Sequence, residues 1–369
     1  MTIPVWDYRR EYEAERADVL EAVDKVFRSG RLILGDSVRE FERLFAAACG
    51  VAQGVGVNSG TDALFIALKA LGIGAGDEVI TVANTAIPTV SAIVSAGATP
   101  RFVDVDASSY LMDVSQVEAA LTPRTRCIIP VHLYGQCADM GALAPLAERR
   151  GIALLEDCAQ CHGARQRGRA AGSMSQAAAY SFYPTKVLGA YGDAGMIVTD
   201  SAAIADRARS LRMYGTHGTY YADTHGYNSR LDELHAEILL RKLARLDTYV
   251  RRRREIAAAY DAALAGAGVV LPAVAPGNEH AYYMYVCRHP ARDRIIERLA
   301  ARGVQASVSY PWPLHLMPAY AHLGYAAGAL PRTEAAAKEI FSLPMYPSLT
   351  DAEVDEVCVA LREVLAREI

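Results

Sequence analysis

Several features that mark other protein classes are missing from this sequence. No apolar run approaches the roughly 20 residues that a membrane-spanning helix requires, and no basic block accompanies the formal net charge of −4. We therefore expect neither a membrane nor a nucleic acid as partner. The first ten residues lack the apolar core of a secretory signal. Cysteine occurs at seven scattered positions without framework spacing, which is typical of reduced thiols, and we expect a cytoplasmic protein.

Three motifs that would define a site are also absent or incomplete. The chain has no Gly-Lys-Ser/Thr loop, which excludes that class of phosphate site. Cys158 and Cys161 form a C-x-x-C without a second pair, so we interpret them as structural thiols and predict no metal. Gly54, Gly56 and Gly60 resemble a dinucleotide fingerprint, but the third glycine comes one residue late. An NAD-dependent sugar-nucleotide oxidoreductase is therefore kept only as a distant alternative.

What the sequence does contain is a regular alternation of short apolar segments and helical patterns. Strands are predicted at residues 51–57, 78–82, 99–103, 127–131 and 152–155, with helices between them. Such alternation predicts an α/β fold with a mostly parallel, mixed sheet and helices on both faces. Ligands in these folds bind beyond the carboxyl ends of the strands, so the polar residues there are candidates for a site.

The C-terminal third has a different pattern. A long helical stretch covers residues 231–264, and beyond it come a strand at 281–287 and further helices. We therefore expect a large domain at residues 1–245, which includes an N-terminal helix, and a small α+β domain at residues 246–369.

Lys186 lies at a forced turn between two buried strands. The predicted strand 178–182 is broken at Pro184, because proline cannot continue a strand ladder. A glycine-rich run, Gly189–Gly195, follows the lysine, and another strand is predicted at 196–199. Taken alone, Lys186 would be interpreted as an ordinary surface lysine.

Four features together give Lys186 a chemical role. A helix begins at Gly60 and Thr61, where free N–H groups can bind an anion. Asp157 directly follows a buried strand, and Ser181 and Lys186 follow on the next strand of the sheet. Pyridoxal 5′-phosphate needs a lysine amine, a carboxylate against its ring nitrogen and a cradle for its phosphate. The sequence therefore predicts a pyridoxal-phosphate site.

Five motifs resemble those of the DegT/DnrJ/EryC1/StrS family of nucleotide-sugar aminotransferases. They are Asn58–Leu64, Glu156–Gln160, Ser181–Lys186, Gly192–Gly195 and Gly226–Glu233. The resemblance implies a fold-type I, aspartate aminotransferase-like transferase that acts as a homodimer with shared active sites. It implies that Lys186 binds the cofactor covalently and then moves the proton. The implied cofactor contacts are Asp157 at the ring nitrogen, Gln160 at the ring hydroxyl, and Gly60, Thr61, Ser181 and the partner's Asn228 at the phosphate.

The same resemblance implies a substrate pair. L-glutamate would supply the amino group, and a keto-deoxysugar on a nucleoside diphosphate, dTDP by preference, would accept it. The stretches 309–315 and 342–347 are similar to enzymes that aminate C-3 of deoxysugars for actinomycete natural-product glycosides, while C-4 amination stays an open alternative. Candidate substrate contacts are Tyr183, Tyr214, His217, Arg230, Tyr310 and His315. For the loop around Tyr310 and His315, a rigid packing role is an equal alternative.

Two further positions separate this chain from parts of the family. The same scaffold used as a dehydratase or as a non-catalytic regulator is an alternative to the aminotransferase. Position 186 is lysine, whereas a dehydratase of this family has histidine there, which argues against dehydration. Many relatives have an aromatic residue that stacks on the cofactor ring where this chain has Ala86.

Overall fold

The computed structural model describes residues 2–218 and 220–367. The helices are α1 Tyr8–Ser29, α2 Asp36–Cys49, α3 Gly60–Ala70, α4 Ile87–Ser95, α5 Val117–Ala120, α6 Met140–Arg150, α7 Ala202–Leu211, α8 Glu233–Leu243, α9 Leu246–Leu264, α10 Arg292–Ala301, α11 Pro331–Glu339 and α12 Asp351–Arg367. The strands are β1 Gln53–Val57, β2 Glu78–Val82, β3 Thr99–Val103, β4 Thr125–Ile128, β5 Ala153–Asp157, β6 Arg165–Gln166, β7 Arg169–Ala170, β8 Ala177–Ser181, β9 Gly195–Thr199, β10 Asn278–Glu279, β11 Tyr285–Arg288 and β12 Ile340–Leu343.

Within the described residues, the main sheet has seven strands in the order β1-β9-β8-β5-β4-β2-β3. Strand β9 is antiparallel to both of its neighbours, β1 and β8, while β8, β5, β4, β2 and β3 pair in parallel. The prediction of a mostly parallel, mixed sheet is confirmed. Strand β8 lies beside β5, so the carboxyl ends of these two parallel strands meet at one edge.

Apolar side chains cover both faces of this sheet. Successive residues of a strand point to opposite faces, and Leu154 and Leu155 of β5 accordingly belong to two different buried clusters. The first cluster contains Phe41 of α2, and the second contains Ile66 of α3. Burial on both faces explains why the strands are continuously apolar in the sequence.

The C-terminal part has its own apolar cluster. It combines side chains of α9, α10, α12, β11 and β12 with Ile3 near the N-terminus, which pairs with Val304.

The predicted long helix is two helices, since α8 ends at Leu243 and α9 begins at Leu246. Strand β12 was missed, because its four residues directly follow α11 and pair with the distant β11. Among the residues described, no helix is long and apolar enough to cross a membrane.

An ion pair ties the first helix to the last. Arg10 donates from Nη1 and Nη2 to the two carboxylate oxygens of Glu353, at 2.7 and 2.8 Å. This hydrogen bonding lowers the pKa of Glu353 to about 2, against the opposing effect of burial. A lowered folded-state pKa stabilises the fold above pH 4.5, and the contribution is lost as pH falls towards 2.

We expect Arg10→Met to lower the free energy of unfolding by about 1–2 kcal/mol at pH 7, a value discounted for the partial exposure of the pair. Chemical denaturation at pH 7 and at pH 3 measures the effect, which should shrink at the lower pH. Arg9→Met is the matched control, because Arg9 is exposed on the same turn. Equal losses for both variants at both pH values would contradict the prediction.

Candidate active site

Asp157 ends β5 and faces a cavity of about 280 Å³ that also contains Lys186. Its side chain is buried, and it accepts hydrogen bonds from Thr89 Oγ1 at 2.8 Å and from the Ala159 N–H at 3.1 Å. Burial raises the pKa of this carboxyl above 3.8, opposed by these two bonds and by nearby Lys186. No described residue forms an ion pair with Asp157, so the carboxylate is available to a cationic ligand in the cavity.

Thr89, in the first turn of α4, orients this carboxylate. Thr85 Oγ1 lies 2.9 Å from Thr89 Oγ1. A hydroxyl has one proton to donate, and Thr89 gives its proton to Asp157, so Thr85 donates to Thr89. Thr89 was not among the site residues predicted from the sequence. It could have been found from its place in the chain, since it lies in the first turn of α4, which begins just beyond the carboxyl end of β2.

Gln160 lies at the same edge, three residues after Asp157, and its side chain is buried at the wall of the cavity. Its Oε1 accepts a hydrogen bond from the Tyr134 N–H at 2.8 Å. Its Nε2 donates to the hydroxyl of Tyr310. The amide is therefore held at both ends.

Lys186 lies in the turn that follows β8, and its own N–H donates to the Tyr183 carbonyl at 2.8 Å. A side chain at Gly189 would place a Cβ 2.4 Å from the Pro184 carbonyl oxygen, so this tight turn needs glycine. The Lys186 ammonium lies 4.7 Å from the ring centroid of Tyr283, within reach of a cation–π interaction. Tyr283 was missed by the sequence analysis, because it lies almost a hundred residues further along the chain.

The N-terminus of α3 forms another wall of the cavity. Ser59 caps the helix by accepting a hydrogen bond from the Asp62 N–H at 3.1 Å. Gly60 packs so closely on β8 that a Cβ there would lie 2.5 Å from the Cβ of Ser181. Gly60, Thr61 and Ser181 all line the cavity. Free helix N–H groups and two hydroxyls are suitable donors for a phosphate.

Pyridoxal phosphate fits the donor groups of this cavity. A buried carboxylate that has no ion-pair partner in the described part of the chain suits the protonated ring nitrogen, and the start of α3 suits the phosphate. A lysine amine lies in the same cavity. Ala86 and Pro88 also line it, so a small side chain takes the place of an aromatic one. The groups that the sequence predicted as separate motifs are thus brought together.

A buried cluster behind Asp157 was also missed. Glu156 accepts hydrogen bonds from His132 Nε2 and from the N–H groups of Gly172 and Met174. These bonds outweigh burial and hold the pKa of Glu156 below 4.5. His132 Nδ1 accepts from the Ala138 N–H, so this histidine is a neutral donor to Glu156. The Cys158 sulfur lies within 4.8 Å of a ligand atom of each of these two side chains. Because the hydrogen bonding of Glu156 and His132 is saturated, we interpret the cluster as structural.

The predicted substrate contacts lie in different places. Tyr183 is half-exposed at the Lys186 cavity. Tyr214 and His217 line a separate cavity of about 1140 Å³, and the Arg230 guanidinium lies 5.9 Å from the Tyr214 ring centroid. Asn228 is exposed and does not line the Lys186 cavity of its own chain.

The structure does not support a substrate contact for His315. Its side chain is wholly buried, and Nε2 lies 3.1 Å from Glu334 Oε1. The next residue back, Leu314, donates its N–H to the Ala83 carbonyl and packs with Val90. This part of the loop therefore has the packing role that the sequence left as the alternative.

The dinucleotide alternative is wrong. Gly54 and Gly56 both lie inside β1, where a Cβ on Gly54 would come within 2.5 Å of the Glu42 carbonyl oxygen. A Cβ on Gly56 would lie 2.9 Å from the Cβ of Leu231. These glycines permit close packing of α2 and Leu231 on the strand and form no phosphate-binding turn.

Comparisons with known proteins identify the family of the chain. The model of the DegT/DnrJ/EryC1/StrS aminotransferase family matches residues 13–362. The chain is 58% identical over 371 aligned residues to the dTDP-3-amino-3,4,6-trideoxy-alpha-D-glucose transaminase of Micromonospora megalomicea subsp. nigra, covering 99% of each chain.

Two solved structures have the same fold. The structure of S. venezuelae DesV in complex with a ketimine intermediate matches with a TM-score of 0.98 and 45% identity, over 99% of each chain. The PLP-form of the putative sugar aminotransferase Spr1654 from Streptococcus pneumoniae matches with a TM-score of 0.89 and 28% identity, over 95% of this chain and 96% of that one. The predicted fold class, enzyme class and cofactor are confirmed. The chain belongs to the DegT/DnrJ/EryC1/StrS aminotransferase family and is a pyridoxal-phosphate-dependent aminotransferase.

Proposed function

We propose that this enzyme transfers the amino group of L-glutamate to C-3 of a keto-deoxysugar carried by dTDP, in the biosynthesis of a natural-product glycoside. The observation that supports this most directly is the 58% identity, over almost the whole chain, with a dTDP-3-amino-sugar transaminase. The presence of Lys186 and Asp157 in one cavity supports catalysis by this chain.

We infer that Lys186 is the catalytic residue. Its amine would hold the cofactor covalently between turnovers, and its Nζ, once released by the incoming amine, would move the proton to and from the reacting carbon of each substrate. When bound, pyridoxal phosphate supplies an electron sink for the pair released at that carbon. The Tyr283 ring gives the free ammonium a defined resting place near the reacting atoms.

Asp157 is proposed to hold the ring nitrogen in its protonated form, with Thr89 fixing the direction of the carboxylate. Gln160 is proposed to donate to the ring hydroxyl, and Gly60, Thr61 and Ser181 to bind the phosphate. Tyr183, which is half-exposed beside Lys186, is the best placed of the predicted substrate contacts.

We further propose a homodimer in which Asn228 reaches the phosphate of the partner subunit. Asn228 is exposed and lies outside the Lys186 cavity of its own chain, as a residue that serves a neighbouring site would. The segment around Tyr214, His217 and Arg230 would then belong to the same shared interface. Within each subunit we propose a boundary between the large and small domains at residue 245, between α8 and α9.

A substrate panel tests the position of amination. We expect turnover with a dTDP-linked 3-keto-deoxyhexose and L-glutamate, and at least ~100-fold lower kcat/KM with the matched 4-keto sugar, a difference of the size that one positioned contact produces. The amino sugar is identified by NMR, and the reverse reaction is run from both 3-amino and 4-amino products. Faster turnover of the 4-keto sugar would show that the enzyme aminates C-4 instead of C-3. A native chain that binds pyridoxal phosphate but aminates neither sugar would refute the nucleotide-sugar assignment.

A further inference from the structure

The orientation of the Gln160 amide is determined by its two partners. A backbone N–H can only donate, so the atom of Gln160 that lies 2.8 Å from the Tyr134 N–H is the amide oxygen. The NH₂ group is therefore turned towards Tyr310 and the cavity. One of its two protons goes to the Tyr310 hydroxyl, and the other has no acceptor among the described residues, so it is free for a ligand in the cavity.

Both partners of Gln160 have a strained backbone. Tyr134 has a φ of +59° and Tyr310 a φ of +62°, in the left-handed region that a bulky side chain rarely adopts. Such a backbone conformation is unfavourable for tyrosine and persists only where its surroundings fix it. The two rings are stacked, with centroids 6.3 Å apart and planes inclined by 17°. A third ring, that of Tyr110, packs edge-on against Tyr134 at 6.1 Å.

Tyr310 belongs to the C-terminal part of the chain, whereas Gln160 and Tyr134 belong to the main sheet region. The loop after Tyr310 is fastened to that region four residues later, where the Leu314 N–H donates to the Ala83 carbonyl at 3.1 Å. Burial, together with nearby Tyr283, raises the pKa of Tyr310, so its hydroxyl is a neutral acceptor over the working pH range.

We propose that Tyr310 is a positioning residue that acts through Gln160. By accepting one proton of Nε2, it aims the other at the oxygen substituent of the cofactor ring. This role differs from direct contact with the sugar, and it makes retention of the cofactor depend on residues 246–369. The inference rests on the proposed contact between Gln160 and the cofactor.

Tyr310→Phe tests the inference, because phenylalanine keeps the stacked ring and removes only the hydroxyl acceptor. We expect the Kd for pyridoxal phosphate to rise about 5–10-fold, the size of one lost hydrogen bond. The midpoint of a pH titration of the bound cofactor's visible absorbance should also move. Kd is measured by equilibrium dialysis against the cofactor-stripped chain. Tyr110→Phe is the matched control, since it removes a hydroxyl from the same ring stack without touching Gln160.

A double-mutant cycle separates this role from a structural one. If Tyr310 acts through Gln160, Tyr310→Phe has no further effect on Kd or midpoint in a Gln160→Leu background. The inference would be overturned if Tyr310→Phe kept the native Kd and the native midpoint of the pH titration. It would also be overturned if the two substitutions had fully additive effects on Kd in the double variant. A native chain that bound no pyridoxal phosphate would overturn the proposed function itself, which is a distinct result.

Discussion

Replacing Lys186 by alanine is expected to reduce kcat by at least ~10⁴-fold, because the variant loses both the covalent attachment of the cofactor and the proton carrier. Lys186→Arg is expected to be equally inactive, since guanidinium retains the charge but neither condenses with the cofactor nor gives up its proton. The measurements are single-turnover kinetics with L-glutamate and the visible absorbance of the purified protein.

Borohydride reduction followed by peptide mapping locates the attachment directly. In the native chain, the peptide that contains Lys186 should gain the mass of the reduced cofactor, and in both variants no lysine should gain it. Lys338→Ala, on the exposed face of α11, is the matched control and should keep native kcat and labelling. Native turnover by Lys186→Ala would remove Lys186 from the mechanism, and labelling of another lysine would transfer its role to that residue.

Asp157→Asn is expected to lower kcat by about 10²–10³-fold, with a smaller change in KM. Asparagine has the shape of aspartate and can still accept from Thr89, but it is neutral and cannot hold a protonated ring nitrogen through a charge-assisted bond. Each tenfold loss corresponds to about 1.4 kcal/mol of transition-state stabilisation. Steady-state kinetics on the cofactor-saturated variant provide the measurement.

The pH dependence of cofactor binding gives an independent test of Asp157. Burial raises the pKa of its carboxyl, so protonation begins at a higher pH than for an exposed aspartate. Cofactor affinity should therefore fall as the pH is lowered into the acid range, and Asp157→Asn should lose this acid limb. Asp355→Asn, on the exposed side of α12, controls for the change in net charge. An unchanged acid limb in Asp157→Asn would show that another group is responsible.

Lys186 and His315 differ in how well their roles could be predicted from the sequence around them. Lys186 was predicted because its forced turn is accompanied elsewhere in the chain by Asp157 and by the helix start at Gly60. His315 stands in a comparably distinctive Pro-aromatic segment, yet it packs against Glu334 and is wholly buried. A distinctive local motif predicts a tight turn, but it does not predict which face of that turn meets the cavity.

The sheet and the location of the site could be predicted from the sequence, because apolar periodicity and strand-end positions are local properties that fix which residues reach the carboxyl edge. What holds those residues in place became visible only in the folded chain. Thr89 contacts Asp157 across 68 positions, and Tyr310 contacts Gln160 across 150. Contacts at such separations arise when whole helices and loops pack on the sheet, and no local pattern records them. The chemistry of Lys186 and Asp157 was therefore visible in the sequence, whereas the orientation of Asp157 and Gln160 depended on the fold.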